Sequence, residues 1–476
     1  MQTTRSGGRA LAVAIIGGGA SGTLTAVQLL AHATARQIPV SITLIDGHGR
    51  HGLGQAYSTT HPGHLLNAMA RQMSALPDDP DHLVRWAAAS LAPGSPLSGT
   101  TFLPRHAYGQ YLRDTLAAAE RAAAPDSRLS RIHSQAVAIK RTGPAGPLQV
   151  ILTDGEVRAD VAVLATGNAP SGFPFATPAS DRVIADPWLP GALDGLGDGA
   201  PVVIAGTGLT MIDLAIAITS ANPAARVHAV SRHGLLSRAH PGDTAAPPRP
   251  VWLPVISRTT GPVRLGDLMW QIRHAVSASP ANWPAVMESL RPYVPGLWRR
   301  MPVPDKRLFL RHVARYWEVH RHLMPPATAS RIAALRCTGR LSVHRGQVLS
   351  VREVSGGLSV LIDLGADVVE IPAGVVINGT GATKDIATTS NPLLRDLFAT
   401  GMARPDPLRL GIDATVHGAV LSSAGLPDDA IYTLGPPLRG LWYETTAVPE
   451  IREQAAALAR RITEHHGLSQ RSGSAA

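Results

Sequence analysis

The sequence predicts an α/β fold organised on parallel sheets, because a strand–glycine turn–helix unit occurs twice and each copy is followed by a further strand. Residues 12–22, Ala-Val-Ala-Ile-Ile-Gly-Gly-Gly-Ala-Ser-Gly, read as a buried strand entering the turn Gly17-x-Gly19-x-x-Gly22 and then an apolar helix over residues 23–33. A weaker copy begins about 190 residues later with Val202-Val-Ile-Ala-Gly206-Thr-Gly208-Leu209-Thr210-Met211-Ile-Asp213. The strands expected after the two helices are Val40-Ser-Ile-Thr-Leu-Ile-Asp46 and Arg226-Val-His-Ala-Val-Ser-Arg232-His233. Two such units predict two Rossmann-like dinucleotide-binding domains, and two nucleotides held by one chain imply redox chemistry.

In the first unit, Gly17 allows the tight turn and Gly19 lets the backbone approach a pyrophosphate. Ala20 and Ser21 open the helix, and Gly22 lets that helix pack close to its strand with its first N–H groups facing the anion. Asp46 closes the next strand with a carboxylate able to bind ribose hydroxyls; its distance of 29 residues from Gly17 requires a long helix and loop in between. The second unit differs in two ways. Met211 stands where a third glycine would be, which sets that helix slightly farther from its strand, and Arg232 stands where the first unit has an acid. An acid there would repel a 2′-phosphate, whereas arginine binds one bidentately, so the site made by Gly206, Gly208, Leu209, Thr210 and Arg232 favours NADPH over NADH.

Composition sets the remaining bounds. A chain of 476 residues, 45% of them apolar, has the length for about three domains and ample material for packed cores. It has no run of about 18 apolar residues, and its first ten residues lack the apolar centre of a signal peptide, so a cytoplasmic location without membrane partners is expected. The single cysteine, Cys337, has no C-x-x-C partner, which excludes an intrachain dithiol centre; no metal site is expected either. The net charge of +10 is almost entirely arginine, with only Lys140, Lys306 and Lys384 as lysines, and it forms no basic block. No nucleic-acid partner is expected from such a spread.

Between the two units lie a loop-rich stretch over 61–103 that carries Asn67, Met73 and Ser74, a helix over about 108–123, and short strands around 149–153 and 161–164. The last of these ends in Ala165-Thr166-Gly167-Asn168, small residues that let the backbone touch a flat or anionic ligand. Residues 168–200, rich in proline and glycine, read as a linker. After the second unit comes a proline- and tryptophan-bearing stretch, 242–304, that shows no clear period. A helix over 305–322 follows, with Leu308, Phe309, Val313, Tyr316 and Trp317 on an apolar side and Arg307, Arg311 and Arg315 opposite. Those arginines form either a solvated face or a contact to an acidic substrate or to NADPH phosphates; Arg315 is the candidate. Short alternating strands over 341–371 lead to Val375-Val-Ile-Asn-Gly379-Thr-Gly381, an echo of residues 165–167. Ile431-Tyr-Thr-Leu-Gly435 is a further strand ending in glycine, followed by Glu444-Thr445-Thr446 and a helix to about 463 that Thr445 or Thr446 could cap.

These strings, with His51-Gly-Leu-Gly-x-Ala-Tyr-Ser58, Met73-Ser-Ala-Leu-Pro-Asp-Asp-Pro-Asp-His82 and Glu444-Thr-Thr-Ala-Val-Pro-Glu-Ile-Arg-Glu-Gln454, resemble the FAD/NAD(P)-binding family that includes urate hydroxylases and amino-acid N-hydroxylases. The resemblance implies an NADPH domain inserted into an FAD domain. It divides the chain into 10–170 (FAD domain, N-terminal part), 171–335 (NADPH domain with a helical insertion), 336–466 (FAD domain, C-terminal part) and a disordered tail, 467–476. It places Asn67, Met73 and Ser74 beside the flavin ring, and Gly435 and Thr446 in the stretch closing over it; Thr166 and Gly167 join the cofactor contacts. It further implies that NADPH reduces FAD and that reduced flavin captures O₂ as a C4a-peroxide, which hydroxylates a small polar substrate such as a purine or an amino acid. Catalytic side chains are not identified by it, and neither is the oligomeric state. The F-x-G-x-x-x-H-x-x-x-W fingerprint of Baeyer-Villiger enzymes is absent, the linker reading Val183-Ile-Ala-Asp186-Pro-Trp188 instead. A flavin reductase or oxidase, and a non-catalytic FAD/NADPH sensor, use the same two sites and remain alternatives.

Overall fold

A computed structural model describes residues 9–91, 97–143, 146–169, 171–196, 200–241, 261–278, 283–383 and 385–473. The chain writes the same order of elements twice. The first pass is β1 (Leu11–Ile16), α1 (Ala20–Ala35), β2 (Val40–Asp46), α2 (His82–Ser90), α3 (Arg105–Ala122), β3 (Arg128–His133), the antiparallel β4 (Ala136–Arg141), β5 (Leu148–Leu152) and β6 (Gly155–Ala159), then β7 (Val161–Leu164). The second is β8 (Val183–Ile184), β9 (Val202–Ala205), α4 (Leu209–Ala221), β10 (Val227–Ser231), a helical segment, β11 (Leu341–Arg345), the antiparallel β12 (Gln347–Val354), β13 (Gly357–Asp363) and β14 (Val368–Ala373), then β15 (Val375–Asn378). The chain then returns to the first sheet with β16 (Ala419–Leu421) and β17 (Pro427–Thr433) and closes on a helix, Val448–Gly473.

Sheet order shows the duplication directly. The first sheet runs β16-β17-β7-β1-β2-β3 and the second β11-β10-β9-β15-β8, so that β7, β1, β2 and β3 correspond to β15, β9, β10 and β11. All pairings in the second sheet are parallel, and in the first only β16 runs antiparallel. Each parallel sheet carries its own three-stranded antiparallel sheet, β4-β5-β6 or β12-β13-β14. The nested α/β architecture expected from the sequence is therefore present, with one correction. Residues 341–378, expected in the C-terminal part of the first domain, complete the second sheet, because β11 pairs with β10 and β15 with β9. Their short alternating strands carry no mark of which sheet they join; the echo at 375–381 is the available signal, since β15 stands to β9 as β7 does to β1.

Packing explains the element boundaries. Helix α1 buries Leu24, Leu29 and Leu30 completely, each worth about 2 kcal/mol of transfer from water. It is sandwiched between the first sheet, the fully buried Tyr108 and Tyr111 of α3, and Ile451, Leu458 and Ile462 of the C-terminal helix. Buried on nearly every side, it starts at the turn itself rather than at Thr23. The stretch 61–103 holds α2, which the flanking prolines mask in the sequence; it docks through Leu83 and Ala87, one turn apart. The linker 168–200 contributes the short edge strand β8. Of the stretch 242–304, residues 242–260 and 279–282 lie outside the described residues, and the remainder forms helices Leu265–Ala278, Trp283–Leu290 and Val294–Arg300. The helix expected over 305–322 is broken by a π turn, Phe309–Val313, between Val303–Leu308 and Ala314–Arg321. That wider turn shifts the faces, so Leu308 is half exposed while Phe309 is buried. The C-terminal helix continues through Gly473, so the stretch from 467 is helical rather than a disordered tail as far as 473; extending a helix already anchored by packing requires no new nucleus. Among the described residues no helix is long and apolar enough to cross a membrane.

Candidate active site

Two cradles with the same backbone construction lie at the carboxyl ends of the two parallel sheets, where open α/β sheets take ligands. In the first, Gly17 N donates to Ile45 O (2.8 Å) and Gly17 adopts φ +115°; a Cβ there would stand 2.2 Å from Ala165 O. In the second, Gly206 N donates to Val230 O (2.7 Å) with φ +114°, and a Cβ would stand 2.4 Å from Gly379 O. Each turn is thus pressed against the end of the neighbouring strand, Ala165-Thr166 or Gly379-Thr380. Gly22 is equally constrained, its Cβ position lying 1.9 Å from Gly17 O. Met211, its counterpart, is fully buried in the second core instead.

The remaining glycines are different in kind. A Cβ on Gly208 would meet nothing within 4 Å, and one on Gly19 only Gly54 Cα at 3.4 Å, so protein packing does not demand glycine at either position. They occupy the N-caps of α1 and α4, neither of which has a capping side chain or an acidic residue in its first turn. The N–H groups of Ala20 and Ser21, and of Leu209 and Thr210, are left for an anion. Thr166 Oγ1 is buried beside the first turn with no partner, and Gly167, at φ +67°, has open space around it. A dinucleotide lying across Gly19 and Thr166 fits both features.

The surrounding residues converge on the first cradle. Asp46 accepts N–H groups from Gly18 (2.9 Å), His48 (3.0 Å) and Arg50 (3.0 Å), which aims its carboxylate at the turn. Gly435, at φ +71°, lies against Ser21, with its N–H on Gln454 Oε1 (2.8 Å) and its carbonyl accepting Thr445 Oγ1 (3.0 Å). The C-terminal helix begins at Val448, so Ala447 precedes it and neither threonine caps it; the Thr445 hydroxyl is taken up by Gly435 and Gln454, while Thr446 is half-buried. Arg452 Nη1 donates to Ser74 O (3.0 Å) and draws the 72–74 loop to the same helix. Met73 is buried in the main core, and the Ser74 hydroxyl is spent on Asp79 O (2.6 Å) and Leu76 O (3.1 Å). Asn67 is half-buried in the preceding loop.

The helical segment roofs this region. Trp298 Nε1 donates to Gly440 O (2.9 Å), and Trp317 Nε1 donates to Glu444 Oε1 (2.8 Å), with Arg321 Nε 3.5 Å from Glu444 Oε2. Tyr443, a non-glycine residue held at φ +59°, is packed by Trp298 and Phe309 at ring distances of 4.6 and 5.1 Å. Strain of this sort, on the order of 1–3 kcal/mol, persists where surrounding contacts over-determine it. Burial lowers the pKa of His322, against the opposing pull of Glu444. Arg315, a candidate for the substrate, lies elsewhere: its guanidinium meets His233 at the end of β10, on the second cradle.

One cluster escapes sequence reading because its members come from segments more than 100 residues apart. Asp213 of α4 is buried and its Oδ2 lies 2.8 Å from Arg105 Nη2 of α3, while its carbonyl accepts His64 Nε2–H (2.9 Å), whose Nδ1 accepts Thr59 Oγ1 (2.7 Å). The two domains are joined there. Burial pushes Asp213 up to about 6, against the lowering pull of Arg105, and pushes His64 down to about 4. The two shifts have opposite consequences. His64 contributes stability that is lost as pH falls from 6.5 to about 4, and Asp213 contributes stability that is lost as pH rises from 3.8 to about 6. Between about pH 4 and 6 they oppose each other. His64→Gln keeps a donor for the Asp213 carbonyl and removes one arm, so its melting temperature should fall from pH 4 to 6 more steeply than that of the parent; parallel profiles in a pH series of thermal melts would refute the assignment.

Residues 14–169 match the FAD-NAD(P)-binding family. That span holds the whole first cradle up to Gly167. No curated protein matches the chain. Among solved structures, L-lysine 6-monooxygenase from Pseudomonas syringae is similar over 96% of this chain and 99% of its own, at 16% identity and a TM-score of 0.65. An ornithine N-hydroxylase from Kutzneria sp. 744, solved with reduced FAD, NADP⁺ and L-ornithine, is similar over 96% and 100%, at 14% identity and a TM-score of 0.61. The bacillithiol disulfide reductase of Staphylococcus aureus is similar over 96% and 99%, at 12% identity and a TM-score of 0.55. The fold is that of the two-dinucleotide-binding flavoproteins.

Proposed function

We propose that the chain is an FAD- and NADPH-dependent oxidoreductase, and specifically a monooxygenase acting on a small polar substrate such as an amino acid or a purine. The observation that carries the reading is the pair of equivalent cradles, the first with Asp46 at its strand end and the second with the exposed Arg232. FAD in the first cradle would be held by the turn 17–22, Asp46, Thr166 and Gly435, and NADPH in the second by Gly206, Gly208, the first turn of α4 and Arg232. Bound FAD supplies hydride acceptance from NADPH and electron delivery to O₂. The protein binds both nucleotides through helix N-termini, orients them through the strand-end glycines, and excludes water with the apolar wall of Trp298, Phe309 and Trp317 over Tyr443. The only cysteine, Cys337, is exposed at the end of helix Pro326–Cys337, so no dithiol is present to carry electrons onward as in a disulfide reductase. The fold shared with lysine and ornithine hydroxylases supports an amino-acid substrate.

Anaerobic mixing with NADPH tests the reading: the flavin absorbance should bleach, and its persistence would leave only a sensor. On admission of air, a hydroxylated substrate should lower the H₂O₂ formed per NADPH, whereas stoichiometric H₂O₂ with every candidate would mark a reductase or oxidase. Arg232→Ala should raise the KM for NADPH roughly 10- to 100-fold, as expected for loss of a charge-assisted phosphate contact worth about 1.5–3 kcal/mol, and leave that for NADH nearly unchanged. Equal losses for the two cofactors would disprove the role of Arg232.

A further inference from the structure

Four electron-rich aromatic rings run in contact from the first cradle to the surface. The turn at 52–57 rests on the cradle: Gly52 N donates to Gly18 O (2.8 Å), and a Cβ on Gly54 would stand 2.8 Å from Gly19 Cα. Tyr57 closes that turn, and ring centroids then follow at 4.7 Å to Tyr108, 5.5 Å from Tyr108 to Tyr111 and 5.4 Å from Tyr111 to Trp86. Tyr108 and Tyr111 are fully buried on α3, whereas Trp86, on α2, is only half-buried. Packing accounts for aromatic rings in a core. It does not account for the polar atoms they carry here. Among the described residues the buried Tyr108 hydroxyl has no hydrogen-bond partner, a cost that phenylalanine would avoid.

Tyr111 is bonded in a way that suits the loss of an electron. Its hydroxyl oxygen accepts the Ala75 N–H (2.9 Å), so its own proton is directed at His82 Nδ1 (2.7 Å). Burial raises the pKa of Tyr57 to about 12 and also raises those of Tyr108 and Tyr111, which keeps all three as neutral phenols. A neutral phenol that loses an electron becomes a strong acid and has to release its proton. Of the three, Tyr111 alone has an imidazole on its hydroxyl among the described residues. Burial lowers the pKa of His82, against the pull of Asp79, so the ring is neutral at pH 7 and its Nδ1 lone pair is free to take that proton. Trp86 Nε1 donates to Asp114 Oδ2 (2.9 Å), a carboxylate that favours positive charge on the indole. Ala75 also follows Ser74, in the loop that the proposed reading sets beside the flavin.

We propose that Tyr111, with His82 as its proton acceptor, is a redox-active tyrosine, and that Tyr57, Tyr108, Tyr111 and Trp86 conduct stray oxidising equivalents from the first cradle to the surface. The proposal rests on the reading of that cradle as an FAD site at which O₂ is reduced. The oxidant is a hydroxyl radical, the class of species that incomplete O₂ reduction releases. It gains one electron and leaves as hydroxide; Tyr111 loses that electron through Tyr108 and Tyr57 and passes its phenolic proton to His82 Nδ1, leaving a tyrosyl radical beside an imidazolium. A thiolate in solution returns the electron through Trp86, departing as a thiyl radical, and His82 gives the proton back.

Blue illumination of the FAD-loaded full-length protein supplies a one-electron oxidant inside the cradle, and electron paramagnetic resonance of samples frozen during illumination reads the radical left on the chain. The parent should show a tyrosyl signal that is lost in Tyr111→Phe and in His82→Gln, which keeps a hydrogen-bond acceptor but no base. Tyr108→Phe removes an unpartnered hydroxyl, so it should melt no lower than the parent and yet lose the signal. Trp86→Phe should keep the signal and slow its decay when a thiol is added. A signal unchanged in Tyr111→Phe overturns the radical site, and one unchanged in His82→Gln overturns the proton transfer. Retention in Tyr108→Phe overturns the inner path, and an unaltered decay in Trp86→Phe overturns the exit. A parent that carries FAD and gives no tyrosyl signal overturns the whole proposal. A parent that binds no FAD overturns the cofactor reading instead, and azide radicals made by pulse radiolysis, which oxidise accessible tryptophan, then decide on Tyr111: a tyrosyl yield that falls in both Tyr111→Phe and Trp86→Phe supports its role, and equal yields overturn it.

Discussion

Gly208→Val should fold and melt like the parent yet bind NADPH about 100-fold more weakly. The expectation follows from the space around this residue. A Cβ on Gly208 would meet no atom of the protein within 4 Å, and its φ of −79° is open to any side chain, so neither packing nor backbone geometry requires glycine. On the proposed reading the ligand requires it: the first N–H groups of α4 would reach a pyrophosphate only if nothing projects from the turn. A weakening of 100-fold corresponds to about 2.7 kcal/mol, of the order of the charge-assisted hydrogen bonds lost when the phosphate is held off. Gly206→Val should instead fail to fold properly, because its Cβ would collide with Gly379 O. Titration of NADPH into the FAD-loaded variant, with circular dichroism as the check on folding, decides the matter. Unchanged affinity in Gly208→Val would remove the second cradle from cofactor binding.

Arg105→Ala should destabilise the protein by about 3–5 kcal/mol, the usual result of leaving one partner of a buried ion pair without its counter-charge. Asp213 is buried and Arg105 largely so, at 2.8 Å, and the pair bridges α3 of one domain to α4 of the other. Arg105 Nε also donates to Leu65 O (3.3 Å), so part of the loss is the release of the 59–65 loop with His64. Most of the effect should disappear in the double variant Arg105→Ala/Asp213→Ala, where no charge is left stranded. Denaturation of the four proteins of this cycle gives the coupling; additive losses would show that the pair contributes no more than two independent contacts. Because Gly208 is the N-cap of α4, this joint also fixes how the second cradle is presented to the first.

The glycine turns, the strands that follow them and the sign of the charge at each strand end are local matters, and the linear sequence determines them. Glycines two residues apart at the end of an apolar run, Gly17 and Gly19 or Gly206 and Gly208, mark both turns, and β2 follows its expected boundaries residue for residue. The echo at 375–381 is local too, since the same small residues are needed wherever a strand end receives a glycine turn. Helix starts and stops are less legible. Helix α1 runs back to Ala20 because burial on nearly every side outweighs propensity, and α2 hides among prolines.

Other features depend on which distant segments meet, and only the tertiary structure decides those. Residues 341–378 are short alternating strands whatever sheet they join; pairing with β10 and β9 assigns them to the second domain. Arg315 has the same helical spacing as Arg307 and Arg311, but the π turn and the end of β10 bring it alone to His233. The Asp213–Arg105–His64 joint, the Trp317–Glu444 contact and the orphaned hydroxyl of Thr166 unite residues far apart in the chain. The physical reason is common to all of these: a nucleotide cradle is specified by backbone conformation within a few residues. The surroundings that select its ligand and exclude water are specified by burial and charge pairing across the whole fold.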